Sequence, residues 1–170
     1  MKTLLLLRHA KSSWYNPGGR DFDRPLAPRG RRSAPLIGGH LRDRQLLPDL
    51  VLCSTARRAR ETYDLVVPAV GGAAIQFEQA LYLAAPATLL RLVQATPPGV
   101  ERLLVVGHNP GLQQFAAQLA ATGDAAALDR LRAKFPTAGL AILTFPVDRW
   151  SEIQPGTAEL ESFVAPRDLG

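Results

Sequence analysis

Leu4-Leu5-Leu6-Leu7, followed at once by Arg8-His9, is the stretch that most constrains this chain. Four apolar residues in a row near the start read as a strand buried on both faces, and such strands belong to parallel sheets covered by helices. In open α/β sheets ligands sit beyond the carboxyl ends of the strands, so Arg8 and His9 fall where such a fold places its chemistry.

The rest of the chain repeats that layout. Trp14 to Pro28 is rich in Pro and Gly and reads as a long functional loop. Ala34, Ile37 and Leu41 recur at helical spacing from about Gly30 to Gln45, with Pro35 expected near the first turn or at a kink. Asp49 to Cys53 predicts a second buried strand, and Ser54 an N-cap for a helix from Ala56 to about Val67. A weaker strand is expected over Ile75 to Gln79 and a helix over Ala87 to about Ala95. Arg102 to Val106 is the clearest strand after the first, and Gly107-His108-Asn109-Pro110-Gly111 leads from it into an alanine-rich helix running to about Ala121. A helix over Ala125 to Ala133 and strands over Leu140 to Phe145 and Glu159 to Val164 complete the chain, the last reached through a polar loop around Trp150. The alternation predicts one domain over 1–170, an α/β three-layer α/β/α sandwich with a mostly parallel central sheet.

Composition narrows the class. No apolar run approaches the roughly 20 residues of a membrane span, and the basic residues that follow the first leucines argue against a secretory leader. The lone Cys53 excludes a disulfide framework and suggests a cytoplasmic location. Lys and Arg number 20 against 15 Asp and Glu, a net charge of +5 carried mostly by arginine. That surplus suits an anionic partner and equally a solvated surface. No aromatic-interleaved basic run appears, so neither a nucleic acid nor a membrane is expected as partner.

Three strand ends carry the chemistry: Arg8-His9, Ser54 to Thr62 (STARRARET), and Gly107-His108-Asn109-Pro110. In parallel neighbouring strands these ends meet on one rim, bringing two histidines and at least two arginines together beside helix N-termini, a site for an anion and above all for phosphate. Taken singly, each has a plainer reading: Arg8-His9 as a loop start, His108 as a turn residue, Arg57, Arg58 and Arg60 as a solvated helix face, and His40 as a solvent-facing helix residue. Known phosphate chemistries are tested by spacing. There is no G-x-x-x-x-G-K-[ST] run, and six residues after Cys53 stands Ala59 where a thiolate phosphatase needs arginine. His9, His108 and Cys53 lack zinc-ligand spacing, and Ser54 lacks a G-x-S-x-G elbow. What remains is histidine as nucleophile, with no metal and no cofactor expected.

Leu7-Arg8-His9-Ala10 resembles the Arg-His-Gly signature of the histidine phosphatase superfamily, of phosphoglycerate mutase-like fold, with Ala in the Gly place. Ser54 to Thr62 resembles its S-x-x-x-R-A-x-x-T segment and Gly107-His108-Asn109 its second-histidine motif. The wording Arg-His-Ala-Lys-Ser-Ser-Trp, Asp23-Arg24-Pro25-Leu26, Leu81-Tyr82 and Gly-His-Asn-Pro-Gly is similar to the short SixA-type phosphohistidine phosphatases. The resemblance implies that His9 attacks phosphorus while Arg8, Arg58 and His108 hold the phosphoryl oxygens, with Lys11, Ser12, Arg24 and Asn109 as substrate-binding candidates. Many members that cleave phosphate esters carry a Glu in an L-x-E segment, but Leu81-Tyr82-Leu83 has no carboxylate and Glu78 is the one nearby candidate. An alkoxide leaving group needs a proton and an imidazole leaves readily, so the sequence favours an N–P substrate. Larger members insert lids in the region corresponding to the short Gln79 to Gly99 segment, so the pocket is expected to be shallow and open. The expected substrate is a phosphohistidine protein. The alternatives are a small phosphorylated molecule and, in another class, a non-catalytic phosphate-binding module.

Overall fold

The structure, a computed structural model, describes residues 1–15 and 18–170, so Asn16 and Pro17 of the long loop lie outside the described residues. Its elements in chain order are β1 (Lys2–Arg8), α1 (Pro28–Asp43), β2 (Leu50–Ser54), α2 (Arg57–Val70), β3 (Ala74–Glu78), α3 (Pro86–Gln94), β4 (Arg102–Gly107), α4 (Gly111–Leu119), β5 (Ala120–Gly123), α5 (Ala125–Ala133), β6 (Leu140–Phe145) and β7 (Ala158–Val164). They build one seven-stranded sheet in the order β3-β2-β4-β1-β6-β7-β5. β1 pairs parallel with β4, β4 with β2 and β2 with β3, whereas β6 runs against both β1 and β7. With β5 parallel to β7, β6 alone opposes the rest. The α/β class and the mostly parallel sheet expected from the sequence are what the fold shows.

The four leucines of β1 are fully buried and split by the two-residue period of a strand. Leu5 and Leu7 pack with Ala34, Ile37 and Leu41 of α1 and Val66 and Val70 of α2. Leu4 and Leu6 join Leu89 and Val93 of α3, Phe115 and Leu119 of α4 and Leu131 of α5. Helices thus cover both faces, and truncating any one of these leucines to alanine carries the ~2–5 kcal/mol cost of a core cavity. α1 and α2 come close because Gly38 has no side chain: a Cβ there would lie 2.8 Å from Val66 O.

The sheet order also creates the crevice. After β1 the chain moves outward to β2, and after β4 it crosses to β5 at the far edge. β1 and β4 are therefore adjacent strands whose connections leave in opposite directions, the switch point at which open α/β sheets bind ligands. Arg8 pairs with Gly107 at the ends of the two strands, setting His9 beside His108.

Several expectations need correction. α4 ends at Leu119, and Ala120–Gly123 forms an edge strand on β7, because sheet pairing overrides the helical preference of the alanines. Pro35 stands well inside α1 on its exposed face, since the helix already starts at Pro28. Trp150 is fully buried, its indole N–H donating to Val100 O at 2.6 Å, so the expected polar loop there contributes to the core. His40 is half-buried with Nε2 enclosed and unpartnered, not solvent-facing. Among the described residues no helix is long and apolar enough to cross a membrane.

Candidate active site

One pocket of about 220 Å³ at the β1/β4 crevice is lined by all eight candidates, Arg8, His9, Lys11, Ser12, Arg24, Arg58, His108 and Asn109, together with Trp14, Leu83 and Thr137. His9 and His108 are only 6% and 3% exposed, with ring centroids 5.3 Å apart. His9 Nδ1 lies 2.8 Å from Ala10 O. A carbonyl can only accept, so Nδ1 carries the proton and Nε2 keeps its lone pair. Burial, more than the nearby His108, Arg58 and Arg8 charges, drives the His9 pKa down to about 3 despite the opposing pull of Ala10 O. Desolvation, ahead of the neighbouring guanidinium charges, is thus what keeps this ring neutral.

His108 is also pushed down to about 3, by burial first and then by Arg58. Its Nε2 lies 2.8 Å from Ser54 Oγ, and Ser54 Oγ accepts the Ala56 N–H at 3.2 Å. The expected cap is therefore a different device: Ala56 is the N-cap of α2, without a side-chain capping bond, and Ser54 orients the second histidine.

The three arginines of the STARRARET segment separate by burial. Arg57 reaches Glu61 at 3.2 Å and Arg60 reaches Thr55 O at 2.9 Å, both on the exposed side. Arg58, from the first turn of α2, is 3% exposed and turns into the pocket. It donates to Asp21 O at 2.8 Å and to Asp21 Oδ2 at 3.1 Å. Thr62, one turn on, accepts the Ala10 N–H at 2.9 Å and donates to Arg58 O at 2.7 Å, tying the His9 loop to α2. Arg8 donates through Nη1 to Phe135 O at 2.9 Å, and Asn109 Nδ2 donates to the same carbonyl at 3.0 Å.

Asp21 is the residue that sequence reasoning missed. Besides Arg58 it pairs with Arg24 Nη1 at 3.0 Å, and it accepts the Tyr82 hydroxyl. Chiefly that hydroxyl, with Arg24 and Arg58 behind it, holds its carboxyl down at about 2. The Tyr82 ring in turn stands edge-on to His108, centroids 5.4 Å apart. An acidic residue among arginines in a long loop was the available signal, but nothing in its spacing pointed to Arg58.

The substrate-binding candidates differ in freedom. Arg24 is engaged on every side: Nε donates to Ser13 O at 3.0 Å, Nη2 to Ser12 Oγ at 2.6 Å, and its guanidinium carbon lies 3.5 Å over the Trp14 ring. It lines the pocket by organising the loop. Lys11 is exposed at the rim, and its backbone is set by Gly30 of α1, where a Cβ would lie 2.2 Å from Lys11 O. Gly111 plays the same part at the start of α4, since a Cβ there would lie 1.8 Å from Ala84 O and push the Leu83 segment away.

Other chemistries find little support in the residues. Glu78 ends the edge strand opposite Ser54 and does not line the pocket. Cys53 is buried, burial pushes its thiol pKa up, and it too is absent from the lining. Among the described residues no three His, Cys, Asp or Glu side chains cluster as a metal site would require.

Residues 4–82 match the model of the histidine phosphatase superfamily, branch 1. An uncharacterised protein of Mycobacterium tuberculosis is 44% identical over 163 residues, covering 95% of this chain and all of that one. Among solved structures, the candidate phosphohistidine phosphatase SixA of Nakamurella multipartitia is 31% identical with a TM-score of 0.85, covering 97% of this chain and 96% of that one. Its counterpart from Agrobacterium tumefaciens is 35% identical with a TM-score of 0.80, covering 97% and 98%. The motifs on the three strand ends and these full-length likenesses agree, and the chain belongs to the histidine phosphatase superfamily, in its SixA-type branch.

Proposed function

We propose that the protein is a phosphatase that removes the phosphoryl group from phosphohistidine on another protein, through a phosphohistidine of its own at His9. The observation that carries this reading is the state of His9: neutral, with Nδ1 committed to Ala10 O and Nε2 unprotonated, beside Arg8, Arg58 and His108. In the first step Nε2 attacks phosphorus, the new N–P bond forms, and the bond to the substrate's ring nitrogen breaks with its electron pair returning to that ring. The departing imidazole is neutral when its other nitrogen holds a proton, which solvent supplies. Ala10 O stabilises the charge that develops on His9. In the second step water attacks phosphorus, the pair returns to His9 Nε2, and phosphate leaves with the water's proton released to solvent. Arg8, Arg58 and His108 stabilise the equatorial oxygens in both steps, the electrostatic assistance phosphoryl transfer needs most.

The pocket's composition supports an N–P bond over an ester. None of its described lining residues is a carboxylic acid. Asp21, the carboxylate that Arg24 and Arg58 of the lining face, is held at about 2 and stays ionised at neutral pH, so it has no proton to give an alkoxide. The size agrees. A cavity of about 220 Å³ falls short of the several hundred that enclose a drug-sized ligand, but it accommodates a phosphoryl group presented from outside.

The test compares purified protein on a phosphohistidine protein and on a panel of sugar phosphates, with EDTA present. We expect kcat/KM to be higher for the phosphohistidine protein and unchanged by the chelator. A trapped phosphoenzyme should be acid-labile and alkali-stable. A sugar phosphate turned over with the higher kcat/KM would overturn the substrate reading, and would make Glu78 the first general acid to test.

A further inference from the structure

A second, larger cavity of about 470 Å³ opens on the same rim, and Thr137 lines both cavities. The topology makes it so. Because β6 runs against β1 and β7 against β6, Leu140 at the start of β6 and Val164 at the end of β7 pair beside Leu7. The segment before β6 and the turn after β7 therefore reach the rim on which His9 sits. The backbone joins the two places directly: Ala138 N–H donates to His9 O at 3.0 Å.

The walls of this groove are basic over an apolar floor. Arg29 comes from the first turn of α1, Arg130 and Lys134 from the end of α5, and Arg167 from the short turn after β7, all of them exposed. Asp168 is the single acidic residue of the lining. It accepts the Ala165 N–H at 2.8 Å and stands 3.8 Å from Arg130, whose guanidinium also lies 5.9 Å from the Phe163 ring centre. Arg29, Lys134 and Arg167 have no ion pair among the described residues. Outside the groove, among the described residues, Arg20, Arg24, Arg31, Arg42, Arg44, Arg57 and Arg58 each face a carboxylate and as many arginines do not, so what sets the groove apart is that its unpaired cations line one cleft whose single carboxylate, Asp168, is already engaged. Three unpaired cations gathered around one cleft make a field that attracts negative charge and steers its approach. Leu36, 39% exposed, supplies apolar surface for the side chains between those charges, and the nearly buried Phe163 closes the floor beneath it.

We infer that this groove docks an acidic segment of the protein that carries the phosphohistidine, so that the segment lies between Arg29, Lys134 and Arg167 while the phosphorylated ring passes Thr137 into the pocket. The inference rests on the reading of the pocket as a protein phosphohistidine phosphatase. Its added content is where the partner binds and what charge it bears. A pocket too small to grip a whole substrate leaves recognition to a neighbouring surface, and this is the basic surface contiguous with it.

The test uses the full chain with His9→Ala, which cannot turn over, and a fluorescent peptide carrying a non-hydrolysable phosphohistidine analogue flanked by Asp and Glu. Binding is compared with that of a peptide of the same length flanked by Lys and Ser, and of single-stranded RNA of equal charge. The acidic peptide should bind at least about tenfold more tightly than the basic one, and more weakly as salt rises. Lys134→Glu with Arg167→Glu should remove that preference, with circular dichroism unchanged. In the His9 form the same pair of changes should lower kcat/KM on an acidic phosphohistidine protein about tenfold, leaving that on a small aryl phosphate within twofold. Equal binding of both peptides, equal or better binding of the RNA, or equal loss on both substrates would overturn the docking site. A flank preference erased by the charge reversals, in a protein that does not hydrolyse phosphohistidine, would support the groove and overturn the reading of the pocket instead.

Discussion

The histidine pocket and the basic groove share a rim and one residue, Thr137, yet they hold their charges in opposite ways. In the pocket Arg58 is buried and gripped twice by Asp21, and both histidines are neutral. In the groove Arg29, Lys134 and Arg167 stand in solvent. A buried charge fixed by partners is pre-oriented and weakly screened, so it can act on a transition state. An exposed charge is screened within about 10 Å at ordinary salt, so it can guide a partner but contributes little to bond breaking. Burial, more than residue type, thus separates groups suited to chemistry from groups suited to encounter.

The change that presses this distinction hardest is His9→Ala. Removing a nucleophile should lower kcat/KM about 10⁴-fold or more, while the circular dichroism spectrum stays that of the parent, since His9 lies beyond the end of β1. Appreciable turnover by this variant would mean that the pocket's buried histidine is not the nucleophile.

Asp21→Asn probes the grip on Arg58 without touching the reacting atoms. It keeps the shape but removes the charge that Arg24, Arg58 and Tyr82 all face. A partner that orients a working group is worth roughly 10- to 100-fold in activity, and that is the fall expected in kcat/KM. Vanadate inhibition should weaken in parallel, Asp21→Glu should restore part of both, and the melting temperature should change little because Asp21 is half exposed. A loss of melting temperature that accounts for the lost activity, with vanadate affinity intact, would reduce Asp21 to a loop staple.

What could be read from the sequence divides along the same line. β1 and β4 were legible because strands buried on both faces are written as unbroken apolar runs, and the histidines and Arg58 because they follow strand ends directly. Asp21, Tyr82 and the Ser54 contact to His108 were not, since each works through a partner 37 to 61 positions away, a distance no local pattern encodes. The groove escaped for a further reason. Its basic residues come from α1, α5 and the turn after β7, and only the reversed course of β6 brings them to the rim. β5 was lost to its own composition, because two alanines continuing an alanine-rich helix carry no sign that an edge strand will take them.

Lys11 is where the comparison can be sharpened most finely, because it belongs to the pocket by position and to the groove by character. It lines the cavity beside His9, yet its side chain is exposed and has no ion pair among the described residues. If burial governs what a charge can do, Lys11→Ala should cost only what a solvated charge contributes at close range, about 1 kcal/mol or some fivefold in kcat/KM. That loss should shrink as salt is raised to 0.5 M, where the Debye length falls to about 4 Å. The loss from Asp21→Asn should persist at the same salt, since Arg58 is enclosed. A Lys11→Ala loss as large as that of Asp21→Asn, and equally indifferent to salt, would mean that Lys11 closes onto the phosphoryl group during turnover. In that case exposure in the free protein would not be the guide to function that the two sites suggest.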